Sequence, residues 1–209
     1  MVPQLTSTPG RGGERFAPGL TLGEARARLF ALGGLGDDGG YGDAWVVVRL
    51  WRVPLAFPNT EGRRQAVRFH DLHHVLTEYP TTWRGEFEIA AWEVAGGIRR
   101  YWAAWLLDLL GFACGLALFP RAVYRAFVRG RHSRNLYGDA WDESVLDSRV
   151  GEVRRRLGLD VDGARATPDD KLSFALWAAA SAAAYVATGA ILLAPAWALA
   201  AALRLYFAP

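Results

Sequence analysis

Three of the four histidines in this 209-residue chain fall within five positions, at His70, His73 and His74. Asp71 follows the first, and Glu86 comes after His74 with eleven residues between, giving the pattern H-D-x-x-H-x(11)-E on His70, Asp71, His74 and Glu86. Imidazole nitrogens and carboxylate oxygens are the donors that divalent metals take. On a helix, residues four apart share a face and residues three apart are neighbours, so His70, Asp71 and His74 can converge. Glu86 must return from the next element, and Tyr79-Pro80-Thr81-Thr82 supplies the turn. Asp71 is either a ligand or the partner that orients a ligating histidine. His73 lies about 100° from His74 around the helix and is expected beside the site or on the surface. Glu78, Glu88 and Glu93 read as surface or supporting charges.

Other chemistries fit less well. A zincin peptidase needs H-E-x-x-H, and Asp71 is one methylene shorter than that glutamate. An HD-type phosphohydrolase carries a histidine upstream of its His-Asp pair, and no histidine precedes His70. Cys114, the one cysteine, lies in an apolar run without a nearby histidine, which argues against a cysteine nucleophile. It forms no intrachain disulfide, and a buried free thiol suits a reducing compartment.

The motif and its surroundings, "HDLHHVLTEYPTTWRGEFEIAAWEV", resemble the core block of the ubiquinone biosynthesis protein four (Coq-four) family. Trp141 to Leu159 is similar to the helix that closes that family's domain, and the resemblance spans roughly residues 40–160. It implies a helical domain with a divalent ion at His70, Asp71, His74 and Glu86, zinc first and ferrous iron second. It also implies a role in ubiquinone assembly, on a benzoate ring carrying a polyprenyl tail. The reaction implied is removal of the ring C1 carboxylate coupled to hydroxylation there, by a metal-dependent decarboxylase. The expected partners are that prenylated lipid, the membrane and other quinone-biosynthesis enzymes, with a homo-oligomer allowed. A noncatalytic lipid-binding scaffold with a structural metal is the alternative, and a metal-dependent hydrolase a further one.

The elements that must hold these residues read as all-α. Thr21 and Glu24 form a capping box that opens a helix, and Gly33-Gly34 ends it. The β-branched stretch of residues 44–57 suits a strand by propensity, but a helix is expected in a helical family. Residues 61–79 form the first motif helix. Thr82 caps the second, which Gly96-Gly97 should break.

Composition points to a membrane. Apolar residues make up 52% of the chain, net charge is +3, and mean hydropathy is +0.06. The basic residues are almost all arginine, and no nucleic-acid-binding motif is present, so nucleic acid is not an expected partner. Residues 1–18 read as a disordered leader, 19–168 as the helical domain, and 169–209 as a hydrophobic membrane segment. Tyr101 to Phe119 carries Asp108 at its centre and is expected as a buried or membrane-surface helix. Leu172 to Ala194 is an uncharged run of 23 residues and the better anchor, a helix or hairpin with Pro195 as kink or break. The stretch from Arg121 to Arg134 is amphipathic and basic, a pattern for a membrane surface or for a solvated helix face. His132 within it is expected in solvent or near lipid head groups. The arginines preceding the anchor predict a metal domain on the cytoplasmic side.

Overall fold

The computed structural model describes residues 16–34, 36, 38–50, 53–160 and 164–206. Among them the chain is mostly helical. Helix α1 (Leu22–Gly33) begins at the expected capping box: Thr21 Oγ1 accepts from the Glu24 N–H at 3.2 Å, and Glu24 Oε2 from the Thr21 N–H at 2.9 Å. Of the expected leader, residues 1–15 lie outside the described residues. Phe16 to Pro18 already belong to the fold: Phe16 is buried, its carbonyl accepts from Arg154, and that of Pro18 accepts from the Gly151 N–H.

The stretch expected as a helix after α1 is instead an antiparallel ribbon, β1 (Trp45–Leu50) with β2 (Val53–Pro58). Local β-propensity prevails here. Pro54 and Pro58 share one parity along β2, so both missing N–H groups face the same edge of a ribbon that needs only one.

Helix α2 (Glu61–Thr77) is capped by Thr60 and closed by Glu78 at φ 63°. Helix α3 (Trp83–Gly96) is capped by Thr82 and ends at Gly97, φ 85°, where the break was expected. Helices α4 (Trp102–Leu118) and α5 (Pro120–Arg131) follow, and α3 lies between them. Close approach is built in. A Cβ on Gly130 would sit 2.4 Å from the Trp92 carbonyl oxygen, and one on Gly115 would sit 2.7 Å from Phe87 Cβ. Trp92, Phe69, Phe112, Phe127 and Tyr137 fill the centre.

The apolar side of α5, with Val123, Ala126 and Phe127, is buried in the domain. That side is unavailable to a membrane, and the exposed Arg121 and Arg125 are the solvated face of a packed helix. The expected closing helix over Trp141 to Leu159 forms only in its second half, α6 (Val150–Leu157). Before it, the Ser148 carbonyl accepts from the Leu22 N–H and the Val150 N–H donates to Leu20, which holds the backbone extended against the start of α1.

The last described helix, α7 (Pro168–Tyr206), is continuous through Pro195, so the apolar segment is one helix and not a hairpin. Thr167 and Asp170 exchange hydrogen bonds at its start. Asp170 also accepts from Arg131 and from His132 Nε2, the latter at 2.8 Å, so His132, exposed as expected, also ties the end of α5 to α7. Proline removes one backbone donor and leaves the carbonyl of Ile191 without its usual helical partner.

Candidate metal centre

Helix α2 presents its chemistry as a stripe. Arg63, Val67, His70 and His74 are spaced at four, three and four residues and lie on one side, with Asp71 and His73 about 80° to either flank. The Pro80 turn reverses the chain, and α3 returns with Glu86 in its first turn. Gly85 makes the reversal possible, because a Cβ there would overlap the Pro80 carbonyl oxygen.

Three donor groups meet, two imidazoles and one carboxylate that offers a different oxygen to each ring. His70 Nε2 is 3.2 Å from His74 Nε2, His70 Nε2 is 3.3 Å from Glu86 Oε2, and His74 Nε2 is 3.3 Å from Glu86 Oε1. Ligands at ~2.1 Å from one tetrahedral ion are about 3.4 Å apart, so the triangle has the right size. The tautomers favour a cation as well. His74 Nδ1 lies 2.8 Å from the Tyr79 carbonyl oxygen, which only accepts, so the proton is on Nδ1. His70 Nδ1 faces Glu93 Oε1 at 3.1 Å and donates to it. With neutral rings, both Nε2 atoms therefore aim lone pairs at each other and at a carboxylate. Such a cluster needs positive charge at its centre, which either a proton or a divalent ion provides.

The electrostatics agree. Burial opposes charge on His70, but Glu93 and Glu86 outweigh it and push the imidazole well up. Burial likewise opposes ionisation of Glu86, yet His74 and His70 hold its carboxyl far below the usual range. The side chains of His70 and Glu86 are 20% and 26% exposed, so the cluster is open on one side.

Behind the cluster lies a second layer. Glu93, two turns after Glu86 on α3, is fully buried and accepts from His70, from His73 Nδ1 at 2.6 Å and from the Tyr137 hydroxyl at 3.0 Å. Burial opposes its ionisation, but the charge on His70 and the hydrogen bonds from both histidines hold the carboxyl well down. The expectation of a surface role for Glu93 is thus overturned, while a supporting one holds. His73 is not a surface residue either. It is fully buried, and its Nε2 accepts from the Leu136 N–H at 3.0 Å, which fixes its tautomer and leaves no lone pair for a metal. Asp108, from the middle of α4, packs its carboxyl near Glu93 and His70, with Oδ2 buried and unpartnered. Burial and then the Glu93 charge push the Asp108 carboxyl well up.

Asp71 stands apart from the His70–His74–Glu86 triangle. It is buried and accepts a short hydrogen bond from the Tyr41 hydroxyl. Burial raises its carboxyl, with His70 and the Tyr41 bond opposing. Tyr41 is set by the loop before β1, whose carbonyls at Gly40, Tyr41 and Asp43 accept from the Asn59 amide. Arg63 is nearby, held by Asn59 Oδ1 at 2.9 Å, with its Nε buried and unpartnered. Burial lowers the Arg63 guanidinium, and the charge of Asp71 opposes that.

Of the residues expected from sequence, the fold therefore brings together His70, His74 and Glu86 and puts Asp71 beside them. Sequence reading missed the supporting part of Asp108 and Tyr137. Asp108 carried a signal, since a carboxyl in an apolar run needs a partner. Tyr137 carried none. The spacing of Glu86 and Glu93, seven residues apart, marked them as one helical face. Comparison with protein families, curated proteins and solved structures finds no match to this chain.

Proposed function

We propose that this chain is a membrane-anchored metalloprotein of prenylated quinone assembly, of the Coq-four kind, acting on a polyprenyl benzoate ring at C1. The observation that carries the reading is the triangle of His70 Nε2, His74 Nε2 and Glu86 carboxylate, open on one side. Three protein donors with an open face suit a reacting centre better than a closed structural one, which disfavours the scaffold alternative. The motif resemblance supplies the substrate class, and the apolar α7 supports a membrane-resident one.

The donor set suits zinc or ferrous iron, and two imidazoles with one carboxylate is the set of many non-haem iron oxygenases. A divalent ion held by His70, His74 and Glu86 would supply positive charge to offset the negative charge left on the ring when carbon dioxide is lost. The protein's own residues do the rest. Glu93 and the Tyr79 carbonyl hold the His70 and His74 rings with Nε2 facing the centre and raise their basicity. His73 and Tyr137 in turn hold Glu93. Arg63, on the same stripe, offers a guanidinium to the carboxylate of the incoming ring. Replacing a carboxylate by hydroxyl is a two-electron oxidation, and in this reading dioxygen is the oxidant: the ring carboxylic acid, dioxygen and water give the phenol, carbon dioxide and hydrogen peroxide.

The test is elemental analysis of purified protein beside complementation of a quinone-deficient strain. One divalent ion per chain and rescue are expected for the wild type, and loss of both for His74→Ala. Full rescue by His74→Ala would overturn the proposal.

A further inference from the structure

Helix α7 has two unlike halves. Its first half docks on the domain, antiparallel to α4. Phe174 meets Phe112 at 5.7 Å between ring centroids, and Trp177 stacks on Trp105 at 5.1 Å. Phe174 also meets Tyr124 and Phe127 of α5, and Ser181 is fully buried. The outer face of this half is charged at its start, with Asp169 and Lys171 exposed, and then alanine apart from Leu172 and Leu176. Alanine exposes little apolar area and is tolerated in water on a helix.

Among the described residues, the middle of the second half carries no packed neighbour. Every residue from 190 to 199 is exposed, and the large apolar side chains gather here: Val186, Ile191, Leu192, Leu193, Trp197 and Leu199. Tyr185 and Tyr206, both exposed, bracket it. The residues between them extend about 30 Å as a helix, the thickness of a bilayer's hydrocarbon core. Tyrosines at both ends match the aromatic belts of membrane spans. Arg204 lies within one turn of the far end, close enough to reach a head group.

The end of the domain from which this half departs is apolar too. Because α4 runs antiparallel to α7, its N-terminus lies there, with Trp102 64% exposed and Leu106 and Leu107 about half exposed. Arg99 and Arg100, just before it, are exposed cations suited to lipid phosphates. The first turn of α2 is at the same end, since a Cβ on Gly62 would sit 3.3 Å from Trp102 Nε1. From Gly62 to His70 is about 12 Å along the helix. Arg63, Val67 and His70 are all half-buried, so a partly open stripe leads from that end to the metal cluster.

We infer that only residues 186–205 cross the bilayer and that the domain rests on it through the N-terminal ends of α4 and α2. The candidate metal cluster then stands two to three helical turns above the membrane face. It acts on the head group of an amphiphile whose tail remains in the bilayer, so no lipid has to be extracted. The inference rests on the membrane anchor and, for the amphiphile, on the lipid substrate of the proposal above, and it replaces the span expected from sequence, Leu172 to Ala194, with one further along the helix.

Single cysteines in a Cys114→Ser background test it, in vesicles of phosphatidylcholine and phosphatidylglycerol treated with a membrane-impermeant maleimide. Leu32→Cys, on the exposed face of α1, measures the fraction of domains facing outward. Labelling at Leu192→Cys, Leu199→Cys and Leu106→Cys should be blocked until detergent is added. Leu172→Cys and Leu176→Cys should label as freely as Leu32→Cys. Blocked labelling at Leu172→Cys and Leu176→Cys would mean that α7 inserts from its root, and free labelling at Leu106→Cys that the domain stands clear of the bilayer. Either result overturns the inference and leaves the anchor intact. Free labelling at Leu192→Cys and Leu199→Cys overturns both. So does blocked labelling in protein that an alkaline wash releases as cross-linkable dimers, because a second copy would then cover the helix.

Discussion

His73→Ala separates a ligand from the scaffold behind it. The substitution removes three things at once. The buried Leu136 N–H loses its acceptor, which costs about 1–3 kcal/mol. Glu93 loses one of its three donors, a charge-assisted hydrogen bond of about 1.5–3 kcal/mol. The ring also leaves a void between Trp92 and Tyr137, whose centroids lie 5.1 Å and 4.9 Å from it, at the scale of about 2 kcal/mol or more for a large-to-small change in a core. These terms share partners and do not simply add, so about 5 kcal/mol is the expected loss. For a chain of this length that lowers Tm by roughly 10–20 °C. His70, His74 and Glu86 keep their places, so metal content per folded chain, measured well below Tm, should stay near the wild-type value. Thermal unfolding followed by tryptophan fluorescence in mild detergent, with elemental analysis of the same sample, gives both numbers. A Tm within a few degrees of wild type would refute the buried Glu93–His73–Leu136 chain of bonds. A metal-free but normally folded His73→Ala protein would refute the assignment of ligands.

Other perturbations probe other contacts. Glu86→Gln keeps shape but removes the charge facing two Nε2 atoms, so metal retention on dialysis should fall sharply while the fold survives. Arg63→Gln should raise KM for a carboxylated ring and leave metal content unchanged, and a loss of metal instead would place Arg63 in the wrong role. Truncation after Ala184 keeps Phe174 and Trp177 docked and should release folded, metal-retaining protein into the soluble fraction, whereas truncation after Asp170 also strips the face of α4 and should yield aggregates. Asp170 has its carboxyl held well below the usual range by the Thr167 N–H, against slight desolvation, and then by His132, Thr167 and Arg131. A depressed carboxyl stabilises the fold above its unfolded pKa and loses that contribution as pH falls through the folded one. Stability of the wild type should therefore drop below about pH 4 more steeply than that of Asp170→Asn, as acid titration of the fluorescence would report.

Much of this protein was legible in the chain itself, where the physics is local. The capping box at Thr21 and Glu24, the Thr82 cap and the stop at Gly97 depend on neighbours a few residues away, and they appear where the residues put them. The i, i+4 pair of His70 and His74 needs only a helix, and the Pro80 turn is enough to bring Glu86 back. Tertiary structure decided what rests on distant partners. The strand propensity of residues 44–57 was there to read, but the pairing of Trp45–Leu50 with Val53–Pro58 that lets each strand satisfy the other is seen only in the structure. Asp71 went to Tyr41, thirty residues earlier in the chain, and so lies outside the donor triangle that its spacing allowed it to join. Glu93 read as a surface or supporting charge and lies instead at the buried meeting point of α2, α3 and α4, where His70, His73 and Tyr137 all donate to it and Asp108 packs beside it. The 23-residue run looked uniform to hydropathy, and only the docking of Phe174, Trp177 and Ser181 on α4 and α5 divided it into a packed half and a bare one.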